Sequence, residues 1–239
     1  MYSFKSRVRY SELNHQTHTL DPYGIINYFQ DCSTFQSEEL NIGLEALQKI
    51  DRAWILNSWQ LQILANITLG EDIIVSTWAY DFKRFYGYRN FLMTDENSQV
   101  LAVANSIWVY INTKSGRPER VPDDNLGYNL KPPYPMEYSP RKIKLPEKLV
   151  DYPCFPVVKA NIDSYKHVNN SQYIRMAQEH LPHNFLSQKM RVEYRKQAKL
   201  GDTIIPQVFN NGDLYIIALS DLEYNPYAIL EFQGFHTID

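Results

Sequence analysis

The chain contains two related segments about 149 residues apart. The second runs Asn161-Ile-Asp-Ser-Tyr-Lys-His-Val-Asn-Asn170, with Asp163 four residues before His167. A shift of 149 positions sets Asn14 against Asp163 and His18 against His167. We therefore expect two copies of one folding module, of which only the second keeps a carboxylate beside its histidine.

Each copy begins with a short strand and then one helix. In the first, Asp21-Pro22 is typical of an N-cap followed by proline at the first helical position, and Gly43 is the predicted end. In the second, Asn169-Asn170 supplies the cap and Pro182 marks the end. One helix in each copy is therefore predicted.

Both copies then change to the alternation typical of strands. Leu69-Gly-Glu-Asp-Ile-Ile74 has a counterpart in Leu200-Gly-Asp-Thr-Ile-Ile205, a turn leading into a strand. Further strands are predicted over 88–94, 100–111, 214–221 and 227–235. The earliest predicted strand has Ile55, Trp59, Leu61 and Ile63 on one side and Ser58, Gln60 and Gln62 on the other. This order predicts an α+β fold with antiparallel sheets.

A proline-rich stretch separates the two copies. Nine of the 13 prolines lie between Pro118 and Pro156, which disfavours a long helix or a central strand there. We expect a first domain over residues 1–130, a linker over 131–150 and a second domain over 151–239.

Composition limits the cellular compartment and the classes of binding partner that we expect. The net charge of −3 and the scattered Lys and Arg residues give no reason to expect nucleic acid or an anionic membrane as partner. No apolar run approaches the roughly 20 residues that span a bilayer. The polar N-terminus is not expected to be a signal peptide, and two cysteines without a framework favour the reduced cytoplasm.

Four stretches in this order resemble the acyl-ACP thioesterase family, bacterial type. Two lie in the first half, Phe82–Phe91 and Asn105–Pro118, and two in the second, Asp163–Asn170 and Glu193–Asp202. The resemblance implies two tandem hotdog domains, each an antiparallel sheet wrapped around one central helix. It also implies hydrolysis of the thioester that joins a fatty acyl chain to acyl carrier protein, which would be the partner, without a cofactor.

The resemblance also assigns positions within the second half. Asp163 and His167 fall on the acidic and histidine positions of the family motif. Tyr165 falls where the family has asparagine, and Gln197 falls where it commonly has glutamate. Ala198 stands where plant members have cysteine, so a thiol nucleophile is excluded at that position.

Thioester hydrolysis needs an activated water and donors for the developing oxyanion. Asp163 is the candidate for activating water or attacking directly, and His167 for polarising the carbonyl or moving a proton. Gln197 would hold the water, while the helix start at Asn169 or Asn170 would bind the oxyanion. In the structural alternative, Asp163 and Asn170 only cap the helix and His167 is an ordinary turn histidine.

The first half has no carboxylate in its copy of the pair, so it is expected to serve structure or acyl-chain specificity. Trp59, Trp78 and Trp108 are candidates for lining an acyl pocket, although aromatic residues in strands more often form core.

Other readings remain open. The pairs His15/His18 and His180/His183 lack a carboxylate or cysteine partner in pattern, so no metal site is expected. A hotdog enoyl-thioester hydratase and a non-catalytic acyl-thioester binding protein are the alternative functions, and a homodimer is compatible with the sequence.

Overall fold

The computed structural model describes residues 1–14 and 17–236. It divides the chain into two compact units, Met1–Ser139 and Pro140–Asp239. Within the described residues, none of the helices combines the length and the hydropathy needed to cross a bilayer.

The first unit is an antiparallel sheet with one long helix. Its strands pair in the order β1-β3-β4-β5-β2. The elements are β1 (Tyr2–Arg7), α1 (Pro22–Glu39), α2 (Leu44–Lys49), β2 (Arg52–Ile63), β3 (Asp72–Lys83), β4 (Tyr86–Asp95) and β5 (Val100–Asn112).

Helix α1 begins where the sequence predicts. The Asp21 side chain accepts a hydrogen bond from the Gly24 N–H at 3.0 Å, and Pro22 occupies the first helical position. On the buried side of the helix, Phe29 packs against Phe91, with ring centroids 5.1 Å apart, and against Trp59 at 6.5 Å. This aromatic group forms the centre of the first unit's core.

The predicted role of Gly43 is wrong. Helix α1 ends at Glu39, and Gly43 is instead the N-cap of the short helix α2. The Glu38 carboxylate folds over Gly43 and accepts the Leu44 N–H at 3.1 Å. A Cβ at position 43 would require the flexible end of the Glu38 side chain to move. The prediction of one helix in the first copy therefore misses the short helix α2.

Strand β2 places residues on the predicted sides only after its bulge, and it is not half-buried there, because Ser58 and Gln60 on the other side are buried as well. Trp59 and Leu61 are buried on one side as expected. A register shift between Leu56 and Ser58 reverses the pattern before that point, so Leu56 is buried and Ile55 is only half-buried.

The sheet of the first unit has two different faces. Phe91 pairs with Thr77 and contacts α1, so the adjacent paired positions Trp78 and Asn90 point to the opposite face. On that opposite face a row of paired side chains crosses four strands, from Trp78 through Asn90 and Asn105 to Gln60.

Residues 132–139, here called the proline segment, lie on this opposite face. The Trp78 Nε1–H donates to the Pro132 carbonyl at 2.9 Å. Asn90 accepts the Tyr134 N–H at 3.0 Å. The Gln60 amide donates to the Glu137 carbonyl and accepts the Ser139 N–H. Polar side chains of the sheet therefore hold this segment of irregular backbone.

The second unit repeats the plan with a shorter helix. Its strands pair in the order β8-β11-β10-β9-β6, and β7 also pairs with β9. The elements are β6 (Val150–Asp151), β7 (Phe155–Pro156), α3 (Asn170–Gln178), β8 (Phe185–Tyr194), β9 (Thr203–Asn211), β10 (Leu214–Ser220) and β11 (Pro226–His236).

The first residues of the second unit form hydrogen bonds with β8. Arg191 donates to the carbonyls of Pro140 and Lys142, and the buried Glu193 accepts the Ile143 N–H at 2.8 Å. Glu193 also pairs with Arg195. The carboxylate of Glu193 therefore holds the backbone that leads into the second unit.

The two Leu-Gly turns confirm the internal repeat. Gly70 precedes β3 with φ +79°, and Gly201 precedes β9 with φ +87°. These positive φ angles favour glycine in both turns. The leucines before them, Leu69 and Leu200, are both exposed.

Candidate active site

The Asp163–His167 turn is closed by backbone and side-chain hydrogen bonds. The Asp163 N–H donates to the His167 carbonyl at 2.8 Å. Asp163 Oδ1 accepts the Tyr165 N–H at 2.8 Å and lies 3.4 Å from the His167 N. Lys166 takes a left-handed φ of 64° to complete the reversal. The carboxylate therefore shapes the turn in addition to any chemical role.

His167 connects this turn to the chain beyond β8. It forms an isolated antiparallel bridge with Lys199, and the next N–H, that of Val168, donates to the Ala198 carbonyl at 2.9 Å. Among the described residues, Nδ1 of His167 is buried and has no hydrogen-bond partner. An imidazole nitrogen is thus available to a ligand at the point where two chain segments meet.

The segment 195–199, here called the Gln197 loop, lies beside the turn. Since Lys199 pairs with His167 and Ala198 bonds to Val168, Gln197 falls opposite Asn169 in the antiparallel register. Within the part of the chain that the structure describes, the exposed side chain of Gln197 forms no hydrogen bond. The fold therefore brings Gln197 into the neighbourhood predicted for it.

Neighbours of Gln197 are fixed more firmly than Gln197 itself. The Lys196 ammonium pairs with Asp221 and lies 4.4 Å from the centroid of the Tyr227 ring. On the other side, the Lys199 N–H donates to Asp202 Oδ2 at 2.9 Å.

Two acidic groups near this loop have shifted pKa values, and a loop residue causes one of the shifts. The hydrogen bond from Lys196 lowers the pKa of Asp221 to about 2. Burial, together with the nearby Asp202 carboxylate, raises the pKa of Tyr227 to about 12. Tyr227 therefore remains a hydroxyl donor to Asp202, at 3.2 Å, at neutral pH.

Helix α3 starts at the predicted position, with Asn169 as its N-cap. The side-chain oxygen of Asn169 accepts the Ser171 N–H at 2.9 Å. The backbone carbonyl of Asn169 accepts the Gln172 N–H at 2.9 Å. Two of the first helical amides are therefore occupied. The Asn170 N–H remains as the candidate oxyanion donor, while the Asn170 carbonyl accepts the Tyr194 hydroxyl at 2.9 Å.

Tyr165 lies at the outside of the turn and is 42% exposed. Its backbone N–H is the strongest contact of the Asp163 carboxylate, but the phenol replaces the amide that the family motif has at this position.

The three tryptophans proposed for an acyl pocket are not brought together. Trp59 is buried on the face of the sheet that contacts α1. Trp108 is close to that face, because its Nε1–H donates to Ser106, which pairs with Trp59. Trp78 points to the opposite face, where it binds the proline segment.

The first-half copy of the motif differs from the prediction by one residue. The Asn14 N–H donates to the Thr19 carbonyl at 2.9 Å, as the Asp163 N–H does to His167. Thr19 also bridges to Thr68 as His167 bridges to Lys199. Thr19, and not His18, is therefore the structural counterpart of His167.

His18 instead corresponds to Lys166. Both take a left-handed φ, 54° and 64°, and the first turn is one residue longer than the second. The fixed shift of 149 is valid before the turn and fails after it.

Within the described ranges, no group of three or more His, Cys, Asp or Glu side chains is arranged to hold a metal ion. His15 of the first histidine pair lies outside these ranges. In the second pair, His180 packs edge-on against Tyr152, with centroids 5.1 Å apart, and burial lowers its pKa.

Sequence reasoning missed the role of Tyr173, which it placed only on the apolar side of α3. Its hydroxyl accepts the Ala198 N–H at 2.8 Å. The available signal is the residue type, because a buried tyrosine usually finds a hydrogen-bond partner where a phenylalanine would need none.

These features define a protein with two α+β units and one carboxylate–histidine turn. The family models for the acyl-ACP thioesterase N-terminal and C-terminal domains match residues 1–127 and 150–216. The chain belongs to the acyl-ACP thioesterase family.

Curated relatives include a chloroplast palmitoyl-acyl carrier protein thioesterase from Cuphea hookeriana, 28% identical over 164 residues. That match covers 63% of this chain and 39% of the relative. The chain thus aligns with about two fifths of the length of this relative.

Solved structures confirm the tandem hotdog fold. An acyl-ACP thioesterase from Bacteroides thetaiotaomicron superposes with a TM-score of 0.88 at 17% identity, covering 97% of this chain and 96% of that one. A 12:0-ACP thioesterase from Umbellularia californica gives a TM-score of 0.82 at 17% identity, with 98% of each chain covered.

Proposed function

We propose that this chain hydrolyses the thioester of fatty acyl-[acyl carrier protein], releasing a free fatty acid and the carrier with its thiol. Membership of the family and the names of its relatives support the substrate class. In the reaction the oxygen of water bonds to the acyl carbon, the carbon–sulfur bond breaks, and the sulfur takes up a proton.

The observation that carries the proposal is the unpartnered Nδ1 of His167. A buried polar atom without a hydrogen bond costs about 1–3 kcal/mol, and a bound substrate or water at this turn would supply the missing partner. The thioester carbonyl oxygen would accept from a protonated imidazole, or a water would donate to a neutral one.

The neighbouring groups complete the proposed chemistry. Asp163 would take the proton of the attacking water or attack the carbonyl itself, and its free oxygen Oδ2 is the atom for either role. Gln197 would hold the water by hydrogen bonds, since an amide cannot act as a base. The Asn170 N–H, at the positive end of α3, would bind the oxyanion.

The test is thiol release from a panel of short-chain to long-chain acyl carrier proteins, with wild type and Asp163→Ala measured in parallel. Release by the wild type that falls at least about 100-fold in the variant supports the proposal and gives the chain-length preference. Circular dichroism of both proteins shows whether the variant is folded. A folded wild type that releases no thiol with any chain length contradicts the proposal.

A second candidate function is a non-catalytic acyl-thioester binding protein. It is favoured by the two backbone contacts of Asp163 Oδ1, which a purely structural carboxylate would also make, and by Gln197 in place of an acid. It predicts binding of acyl carrier protein without turnover, and a binding constant unchanged by Asp163→Asn. The hydratase alternative is tested separately with crotonyl thioester, to which a hydratase would add water without releasing thiol.

The partner, the compartment and the residues that contact the acyl chain are proposed in the same way. Acyl carrier protein is the proposed partner, and the cytoplasm is the proposed compartment because both cysteines are free thiols. Trp59 and Trp108 remain candidates for contact with the acyl chain, and their replacement by leucine is expected to change the chain-length profile. A homodimer, and the lack of nucleic-acid or membrane partners, remain predictions of the sequence.

A further inference from the structure

The backbone of Ala198 forms hydrogen bonds through both its carbonyl and its N–H. Its carbonyl accepts the Val168 N–H at 2.9 Å, and its own N–H donates to the Tyr173 hydroxyl at 2.8 Å. Ala198 is fully buried, while the adjacent Gln197 is exposed. The backbone that carries Gln197 is thus fixed by its buried neighbour.

Tyr173 is well placed to act as a fixed point. It is buried on α3, and its ring packs edge-on against Tyr194 at 5.9 Å between centroids. Burial raises the pKa of Tyr173, so the phenol stays neutral and protonated in the physiological range. Its hydroxyl oxygen accepts the Ala198 N–H at 2.8 Å.

We propose that Tyr173 is a positioning residue for the hydrolysis: by holding the Ala198 N–H, it fixes where the Gln197 amide is presented beside His167. The inference rests on the proposed function. Tyr173 does not touch the substrate; it acts through Gln197. The outer contacts of the loop, Lys196 with Asp221 and Lys199 with Asp202, do not involve Tyr173 and would keep the loop attached without it.

The first test is Tyr173→Phe, which removes only the acceptor oxygen. We expect kcat to fall about 10- to 100-fold, the scale of a catalytic group displaced by about an ångström, with KM changed less than about twofold. Tyr215→Phe is the matched control, since Tyr215 is another buried tyrosine of the second unit that lies away from the loop. Wild-type kcat in Tyr173→Phe would overturn the proposal.

A double variant separates positioning from a general loss of structure. If Tyr173 acts through Gln197, then Tyr173→Phe combined with Gln197→Ala is no slower than Gln197→Ala alone. If the two losses multiply, Tyr173 acts independently of Gln197 and the proposal is wrong.

Hydrogen exchange of the Ala198 amide tests the contact without requiring activity. We expect slow exchange in the wild type and faster exchange in Tyr173→Phe, with the Gly234 amide, which donates to the Asp213 carbonyl, unchanged as internal reference. Fast exchange in the wild type would overturn the positioning role, even if the variant proves too unstable to assay. A wild type that releases no thiol but protects Ala198 would contradict the proposed function and leave the contact established.

Discussion

The carboxylate of Asp163 accepts the backbone N–H of Tyr165 at 2.8 Å, two residues further along the chain. This contact makes alanine substitution ambiguous, because it removes both the charge and the turn contact. Asp163→Asn separates the two roles, since an asparagine oxygen can still accept the N–H.

We expect Asp163→Asn to lower kcat at least about 100-fold while its melting temperature stays close to that of the wild type. Thiol release and thermal unfolding on the same samples check this. Wild-type turnover in Asp163→Asn would assign the carboxylate to the turn alone.

His167→Gln is expected to lower kcat about 100-fold or more, because the amide can form hydrogen bonds but cannot exchange a proton near neutral pH. His18→Gln is the matched control, since His18 is exposed and occupies the position equivalent to Lys166. Steady-state thiol release measures both variants, and equal rates would remove His167 from the mechanism.

Tyr165→Asn restores the residue that the family motif has at this position. We expect turnover at or above that of the wild type, because the contact with the Asp163 carboxylate is made by the backbone N–H of residue 165, which asparagine retains. A collapse of activity in a folded variant would show that the phenol has a role of its own.

Asn90→Ala is expected to lower the free energy of unfolding by about 3 kcal/mol. The fully buried Asn90 amide bonds the Tyr134 N–H and the Ala104 carbonyl, and truncation leaves these groups without it. Asn97→Ala, at an exposed turn, is the control and should change stability by less than about 0.5 kcal/mol. Urea unfolding measures both, and equal stabilities would show that Asn90 does not hold the proline segment.

The pair Lys196–Asp221 predicts an acid-dependent contribution to stability. A carboxylate whose pKa is lower in the folded state stabilises the fold above its unfolded pKa, and this contribution disappears as the pH falls through the folded pKa. For Asp221 the interval runs from the ordinary value of 3.8 down to about 2.

NMR titration of the Asp221 carboxyl is expected to give a pKa of about 2 in the wild type and a value nearer 3.8 in Lys196→Met. The stability difference between the two proteins should therefore be present at pH 5 and vanish below pH 2. The same Asp221 pKa in both proteins would show that Lys196 does not cause the shift.

Features set by neighbouring residues were predictable from the sequence. The start of α1 follows from Asp21-Pro22, the start of α3 from Asn169, and the two Leu-Gly turns from their glycines. Each of these features is determined by a side chain or a backbone angle within a few residues, so the local sequence is enough to predict it.

Features set by contacts between distant residues were not predictable in this way. Alternation within a strand separates two sides but does not say which side meets the helix, so Trp78 and Trp59 were grouped although they point to opposite faces. Likewise Tyr173 and Ala198 are 25 residues apart, and only the tertiary fold shows that they bond.

The longer first turn limits how the first half could acquire a carboxylate–histidine pair like that of the second half. Asn14→Asp alone would supply the acid, but Thr19 occupies the position that corresponds to His167. Restoring the histidine requires a change at Thr19 itself, because His18 occupies the position that corresponds to Lys166. The two halves therefore differ in the length of this turn as well as in the identity of its residues.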